Sequence, residues 1–142
     1  MSEGRIMAID YGRKRTGLAV TDPLQMIATR LATIPSHEIW NFLDDYFRNE
    51  KVMLILIGYP VRLNNQPSEA VIYINPFIKS FLKRYPGMKV EQVDERFTSQ
   101  LAIRAMIEGG VKKKERQEKS LVDGLSATII LQSYLEQKKY KV

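Results

Sequence analysis

The chain opens with short apolar segments separated by polar turns. Arg5-Ile6-Met7-Ala8-Ile9-Asp10 reads as a strand, and Tyr11 to Thr16 as a polar turn region containing Gly12. Gly17-Leu18-Ala19-Val20-Thr21 reads as a second strand. Thr29 to Ile34 reads as a third, with alternation at Leu31 and Thr33. Connections this short favour an antiparallel meander. The period then changes. Ser36 stands where a helix N-cap belongs, and Ile39, Leu43, Tyr46 and Phe47 follow at helical spacing. Val52 to Ile57 is continuously apolar, as in a central strand buried on both faces, and Gly58-Tyr59-Pro60 ends it.

A polar loop over 61–67 leads to Ser68-Glu69, which opens a helix with Ile72, Ile78, Phe81 and Leu82 on its apolar side. Pro76 inside that helix predicts a kink or a split. Tyr85-Pro86-Gly87 stops it, and Met88 to Asp94 reads as a further strand. Thr98 or Ser99 caps a short helix through Leu101, Ala105 and Met106, closed by Gly109-Gly110. Val111 to Lys119 reads as a charged loop. Ser120 caps the last helix, whose buried positions include Leu121, Leu125, Ile129 and Leu135. The resulting order, βββαβαβα, implies an α/β fold: a mixed five-stranded sheet flanked by helices. The first strand is expected centrally, beside both helix-connected strands.

Composition narrows the setting. A length of 142 residues suits one domain spanning 1–142. No apolar run approaches the roughly 20 residues that cross a bilayer, so no membrane partner is expected. Residues 1–5 lack the apolar stretch of a secretory signal, and the absence of cysteine removes disulfides, thiol nucleophiles and cysteine-rich zinc sites. Both fit a cytoplasmic protein. The net charge of +6 favours a polyanionic partner through counterion release, and residues 104–142 supply four of those charges.

Candidate chemistry lies at the ends of elements. Asp10 closes the first strand, Asp94-Glu95 closes the last, and Asp123 falls in the first turn of the final helix. Each has a plain alternative. Asp10 could cap its turn, Asp94 and Glu95 could be exposed loop acids, and Ser120-x-x-Asp123 resembles a capping box. One acid per element at a shared rim favours a site for hard cations, since paired carboxylates are what magnesium or manganese requires. Two such ions can activate a water and stabilise the leaving oxygen of a phosphodiester. Adjacent strand residues face opposite ways, so only one of Asp94 and Glu95 belongs in such a site, and spacing does not choose between them.

Basic residues accompany the acids. Gly12 and Gly17 flank Arg13-Lys14-Arg15, whose glycines permit close approach to phosphate or a positive φ in the hairpin. Arg13 and Arg15 suit a bidentate phosphate clamp. Arg96 follows the acid pair, and Lys112, Lys113, Lys114 and Lys119 suit backbone contacts. His37 is the only histidine and reads as a surface residue. Trp40 and its neighbouring aromatics read as core. No Ser-His-Asp arrangement, Walker loop or Rossmann glycine pattern is present.

Four segments together resemble the YqgF/RuvX family. They are Ala8-Ile9-Asp10-Tyr11-Gly12-Arg13-Lys14-Arg15-Thr16-Gly17-Leu18-Ala19, then Gly58-Tyr59-Pro60 with Pro67-Ser68, then Val93-Asp94-Glu95-Arg96-Phe97-Thr98-Ser99, and finally Lys119 with Val122-Asp123-Gly124-Leu125-Ser126-Ala127 through Leu135. The resemblance implies a ribonuclease H-like fold with an acid triad on Asp10, Glu95 and Asp123, which selects Glu95 over Asp94. It also implies a hydrolase acting on ester bonds, with Mg2+ or Mn2+ as cofactor and structured RNA or branched DNA as partner. Members are described as Holliday junction resolvases and as nucleases that process the precursor of small-subunit ribosomal RNA. The chain departs from the family pattern at Leu63-Asn64-Asn65-Gln66, where an acid is usual, and at Ser99, where threonine is usual. The fourth strand ends without a carboxylate.

The leading expectation is a metal-dependent endonuclease processing the 5′ end of pre-16S ribosomal RNA, in contact with a ribosome precursor. The first alternative is a junction resolvase, which should dimerise to cut opposed strands symmetrically, whereas the RNA nuclease is compatible with a monomer or homodimer. The second is a nucleic-acid or ribosome-binding protein with weak catalysis. An actin-like ATP-binding domain ranks last, because that arrangement normally uses two such domains.

Overall fold

The computed structural model describes residues 4–59, 71–94 and 119–140, the side chains of 94, 119–126 and 139–140 excepted. Strands β1 (Arg5–Tyr11), β2 (Arg15–Thr21) and β3 (Ala28–Pro35) form the meander, followed by a 3₁₀ turn (Ser36–Glu38) and α1 (Ile39–Asn49). Then come β4 (Val52–Tyr59), α2 (Val71–Arg84), β5 (Lys89–Asp94) and α3 (Lys119–Tyr140). The described elements reproduce the expected order. The sheet runs β3-β2-β1-β4-β5, with β1 antiparallel to β2 and parallel to β4, and β5 parallel to β4. β1 is central, as expected, but it touches only one helix-connected strand: β4 separates it from β5. The expected helix near Thr98 and Ser99, the 61–67 loop, the Ser68-Glu69 start and the loop before Lys119 lie outside the described residues.

The alternation of β1 and β4 divides the core in two. Met7, Ile9, Leu18, Ile55 and Ile57 pack against α1 and α2. Ile6, Ala8, Ala19, Leu54 and Leu56 pack against Ala127, Ile130, Leu131 and Leu135 of α3. Both faces of β4 are therefore covered, which is why its sequence is apolar from Val52 to Ile57. On the first face Tyr11 stacks on Phe77 with centroids 4.1 Å apart, and Trp40 packs on Phe77 at 5.3 Å. His37 is exposed and Trp40 is partly buried, as expected.

Several local expectations change. Ser36 makes no cap for α1, whose N-cap is Glu38 with no side-chain hydrogen bond. Ser36 is instead buried. Its hydroxyl donates to the Gly12 carbonyl at 2.5 Å and accepts from Thr16 Oγ1 at 2.8 Å, tying the start of α1 to the β1–β2 turn. The buried stripe of α2 is Ile74, Phe77, Ile78 and Phe81, at i, i+3, i+4 and i+7, so Ile72 and Leu82 fall off it and are exposed. Pro76 does not split the helix. The carbonyl it leaves without a donor belongs to Ile72, a residue 70% exposed, where water can serve. α3 begins at Lys119, so Ser120 lies inside the helix and Asp123 beyond its first turn, which contains no acid. Of the expected α3 positions, Leu135 is buried and Ile129 half-buried. The side chains of Leu121 and Leu125 lie outside the described residues.

Candidate nucleic-acid interface

The C-terminal ends of β1, β4 and β5 lie on one rim, together with the β1–β2 turn. Asp10 stands there, half-buried, on the face of Ala8 and therefore on the α3 side. Its antiparallel partner is Gly17. The parallel register that pairs Ile9 with Ile57 carries Asp10 to the level of Gly58, which in turn pairs with Val93. The acid is thus flanked in both directions across the sheet by residues without side chains. Glycine inside a strand often marks close approach of a ligand.

α3 runs toward the same rim. Near its C-terminal end Lys138 Nζ donates to Gln25 Oε1 at 2.7 Å, and Gln25 lies in the β2–β3 turn at the opposite rim. From Lys138 back to Asp123 the helix rises about 22 Å. Seven-residue β1 spans about 23 Å, so the helix is long enough to reach the level of Asp10. With 100° per residue, position 123 falls in the stripe of Ala127, Ile130 and Leu131 that packs on the sheet. A capping box at Ser120 is inconsistent with this helix start.

Register also bears on the acid pair. Asp94 pairs with Tyr59, which belongs to the α1–α2 side. Its strand position is therefore on the face opposite Asp10. Glu95 and Arg96 lie outside the described residues, as do Lys112, Lys113 and Lys114. Lys119 opens α3. Among the described residues no three acids or histidines form a metal-binding group. A further acid, Glu91, lies on the α3 side, where it hydrogen-bonds Tyr134 and, with burial as the larger cause, raises that phenol's pKa.

The two arginines of the turn diverge. Arg13 is exposed, with its guanidinium 5.4 Å from the centroid of Tyr73 on α2. Arg15 occupies the Gly17 face of β2, half-buried, and its Nε is buried without a hydrogen-bond partner among the described residues. Lys14 is exposed, while its carbonyl accepts from the Ser36 amide at 2.9 Å. Gly12 is required by crowding rather than by a positive φ. A Cβ there would meet the Arg15 carbonyl oxygen at 2.4 Å. Sequence reasoning missed Gly58 as part of the site and Tyr73 as a partner of Arg13. The second was signalled by its i, i+4 spacing from Phe77.

Comparison with known proteins agrees with this architecture. The family described as "RuvX: Holliday junction resolvase" matches residues 4–137. The chain belongs to the RuvX family. RuvX relatives include a protein of Bacteroides thetaiotaomicron, 58% identical over 136 residues, covering 96% of this chain and 99% of its own. Another, from Christiangramia forsetii, is 55% identical over 131 residues, covering 92% of this chain and 97% of its own. Both bear the name "Putative pre-16S rRNA nuclease". Among solved structures, Thermus thermophilus RuvC in complex with a Holliday junction substrate aligns with a TM-score of 0.58 at 14% identity, covering 96% of each chain. That likeness concerns the fold, which is ribonuclease H-like. Among the described residues no helix is long and apolar enough to cross a membrane.

Proposed function

We propose that this chain is a divalent-metal-dependent endonuclease that trims the 5′ end of pre-16S ribosomal RNA in the cytoplasm, acting on a ribosome precursor. The observation carrying this reading is the place of Asp10 at the sheet rim, in a row with Gly17, on the face covered by the Ala127, Ile130 and Leu131 stripe of α3. The naming of relatives at 55–58% identity supports the choice of RNA. The position of Asp94 on the opposite face supports Glu95 as the β5 carboxylate.

The fit to a metal rests on donor chemistry. Carboxylate oxygens are the donors that Mg2+ and Mn2+ prefer, and Asp10 shares its row across the sheet with Gly17 and Gly58. Asp10, Glu95 and Asp123 would hold the metal, which supplies water activation and stabilisation of the leaving oxygen. The remaining work falls to the chain's own cations. Arg15, whose strand position is on the Asp10 face and whose Nε has no hydrogen-bond partner among the described residues, would donate to a phosphate oxygen of the bound strand. Lys14 and Arg13 would neutralise phosphates passing over the turn, and Arg96, Lys112, Lys113, Lys114 and Lys119 would add further phosphate contacts.

The test is cleavage in Mg2+ or Mn2+ of a pre-16S ribosomal RNA fragment and of a four-way DNA junction by wild type and Asp10→Asn. RNA cleavage abolished by the substitution is expected. Junction cleavage alone would favour the family's resolvase description over RNA processing. Nucleic-acid binding without cleavage would overturn the nuclease reading, and cleavage indifferent to Asp10 would overturn the acid site.

A further inference from the structure

The β1–β2 turn lies along α2 through two successive contacts. Tyr11 stacks on Phe77, and two residues later Arg13 covers Tyr73, one helical turn before Phe77. The first contact closes the core. The second does not: Tyr73 is 40% exposed and its neighbour Ile72 is 70% exposed. The Tyr59 hydroxyl donates to Asn75 Oδ1 at 2.9 Å on the same exposed end of α2. A planar cation thus lies over a partly exposed ring, beside exposed Lys14, at the rim that holds Asp10. It is on the other face of the sheet from the acid.

From this we infer that Arg13 and Tyr73 form a stacking platform for an unpaired nucleobase next to the cut, so that the substrate carries a single-stranded segment there. The inference rests on the nucleic-acid reading above and deepens it. Three physical points support the assignment. An aromatic ring and a guanidinium plane are the two side-chain surfaces on which unpaired bases stack. The cation attracts the phosphate on either side of that base. A strand leaving the Asp10 face must turn over the Gly12–Lys14 rim to reach Tyr73. A flexible single strand makes that turn more readily than a stiff duplex.

Binding is measured without cleavage, in EDTA, by fluorescence anisotropy. The probes are a short fluorescein-labelled single-stranded oligoribonucleotide and a blunt RNA duplex of the same length. Tyr73→Ala weakens binding to the single strand by roughly 5- to 150-fold and leaves the duplex within twofold of wild type, while Tyr73→Phe binds like wild type. Photo-crosslinking of 5-iodouridine-substituted RNA maps to Tyr73. Equal losses on single strand and duplex, or equal losses in the Phe and Ala variants, would overturn the stacking platform. So would single-strand binding by Tyr73→Ala that matches wild type. In each case the nuclease reading survives. Failure of wild type to bind either probe overturns both. Thermal melting of the variants separates these outcomes from misfolding.

Discussion

Asp10 on β1 faces Gly17 on β2 as a direct antiparallel pair, and Gly58 of β4 stands level with it on the other side. The row of Asp10 therefore carries glycine on both adjacent strands. Gly58→Val fills part of that row with a side chain suited to a strand. The expected result is a fall in Mn2+ affinity of about 10- to 100-fold by calorimetry with the fold retained. Unchanged affinity would show that the glycine at this position has no part in metal binding.

Opposite faces separate Asp94 from Asp10. Asp10→Asn and Glu95→Gln should each lower cleavage by about 100-fold or more, since loss of a ligand costs at least as much as loss of its supporting partner. Asp94→Asn should stay within a fewfold of wild type. A large loss with Asp94→Asn and none with Glu95→Gln in single-turnover cleavage would reverse the assignment.

The buried chain of hydroxyls from Thr16 through Ser36 to the Gly12 carbonyl holds the arginine turn against the start of α1. Ser36→Ala removes the donor to that carbonyl and the acceptor for Thr16. The variant should lose about 1–3 kcal/mol in urea unfolding. A loss under half a kilocalorie, roughly, would place the turn's stability elsewhere.

Asp44 joins α1 to the end of α2. The hydrogen bond from Arg84 is the main cause that holds its carboxyl down at about 2, with a second from the Tyr85 hydroxyl at 2.5 Å. Tyr85 is pushed up to about 12, by burial first and by Asp44 next. A carboxyl with a depressed folded pKa stabilises the fold above its ordinary value of 3.8, and that contribution is lost as pH falls toward 2. The difference in Tm between wild type and Asp44→Asn should therefore be full above pH 4 and close toward pH 2. Because the pair is exposed to solvent, added salt should shrink it. A difference that does not change over this pH range would mean that the ionised carboxylate is not the stabilising species.

Much of the architecture was legible because the period of the chain changes with its elements. The two-sided apolar run of β4 and the meander before it need only local pattern. Pattern failed where an element offers apolar residues on more than one side. In α2, Ile72 and Leu82 compete with Ile74 and Phe77, and only packing against α1 decides. Ser36 looked like a cap because a hydroxyl before a helix usually is one, but a deeper partner, the Gly12 carbonyl, accepts its hydrogen bond. The site was readable as separate acids. Strand order was not, since nothing in a connecting helix says whether the next strand lands beside β1 or beyond β4. The face of Asp94 follows only once β4 and β5 are in register.

α3 is anchored through Lys138 at one rim and carries position 123 toward the other. Since each residue turns a helix by 100°, the segment between Asp123 and Ala127 behaves as an indexed shaft. One inserted residue there would rotate position 123 by about 100° relative to the packed half of the helix, which stays seated. Insertions in this stretch are thus constrained by angle, and their tolerance should follow the helical period rather than the length added.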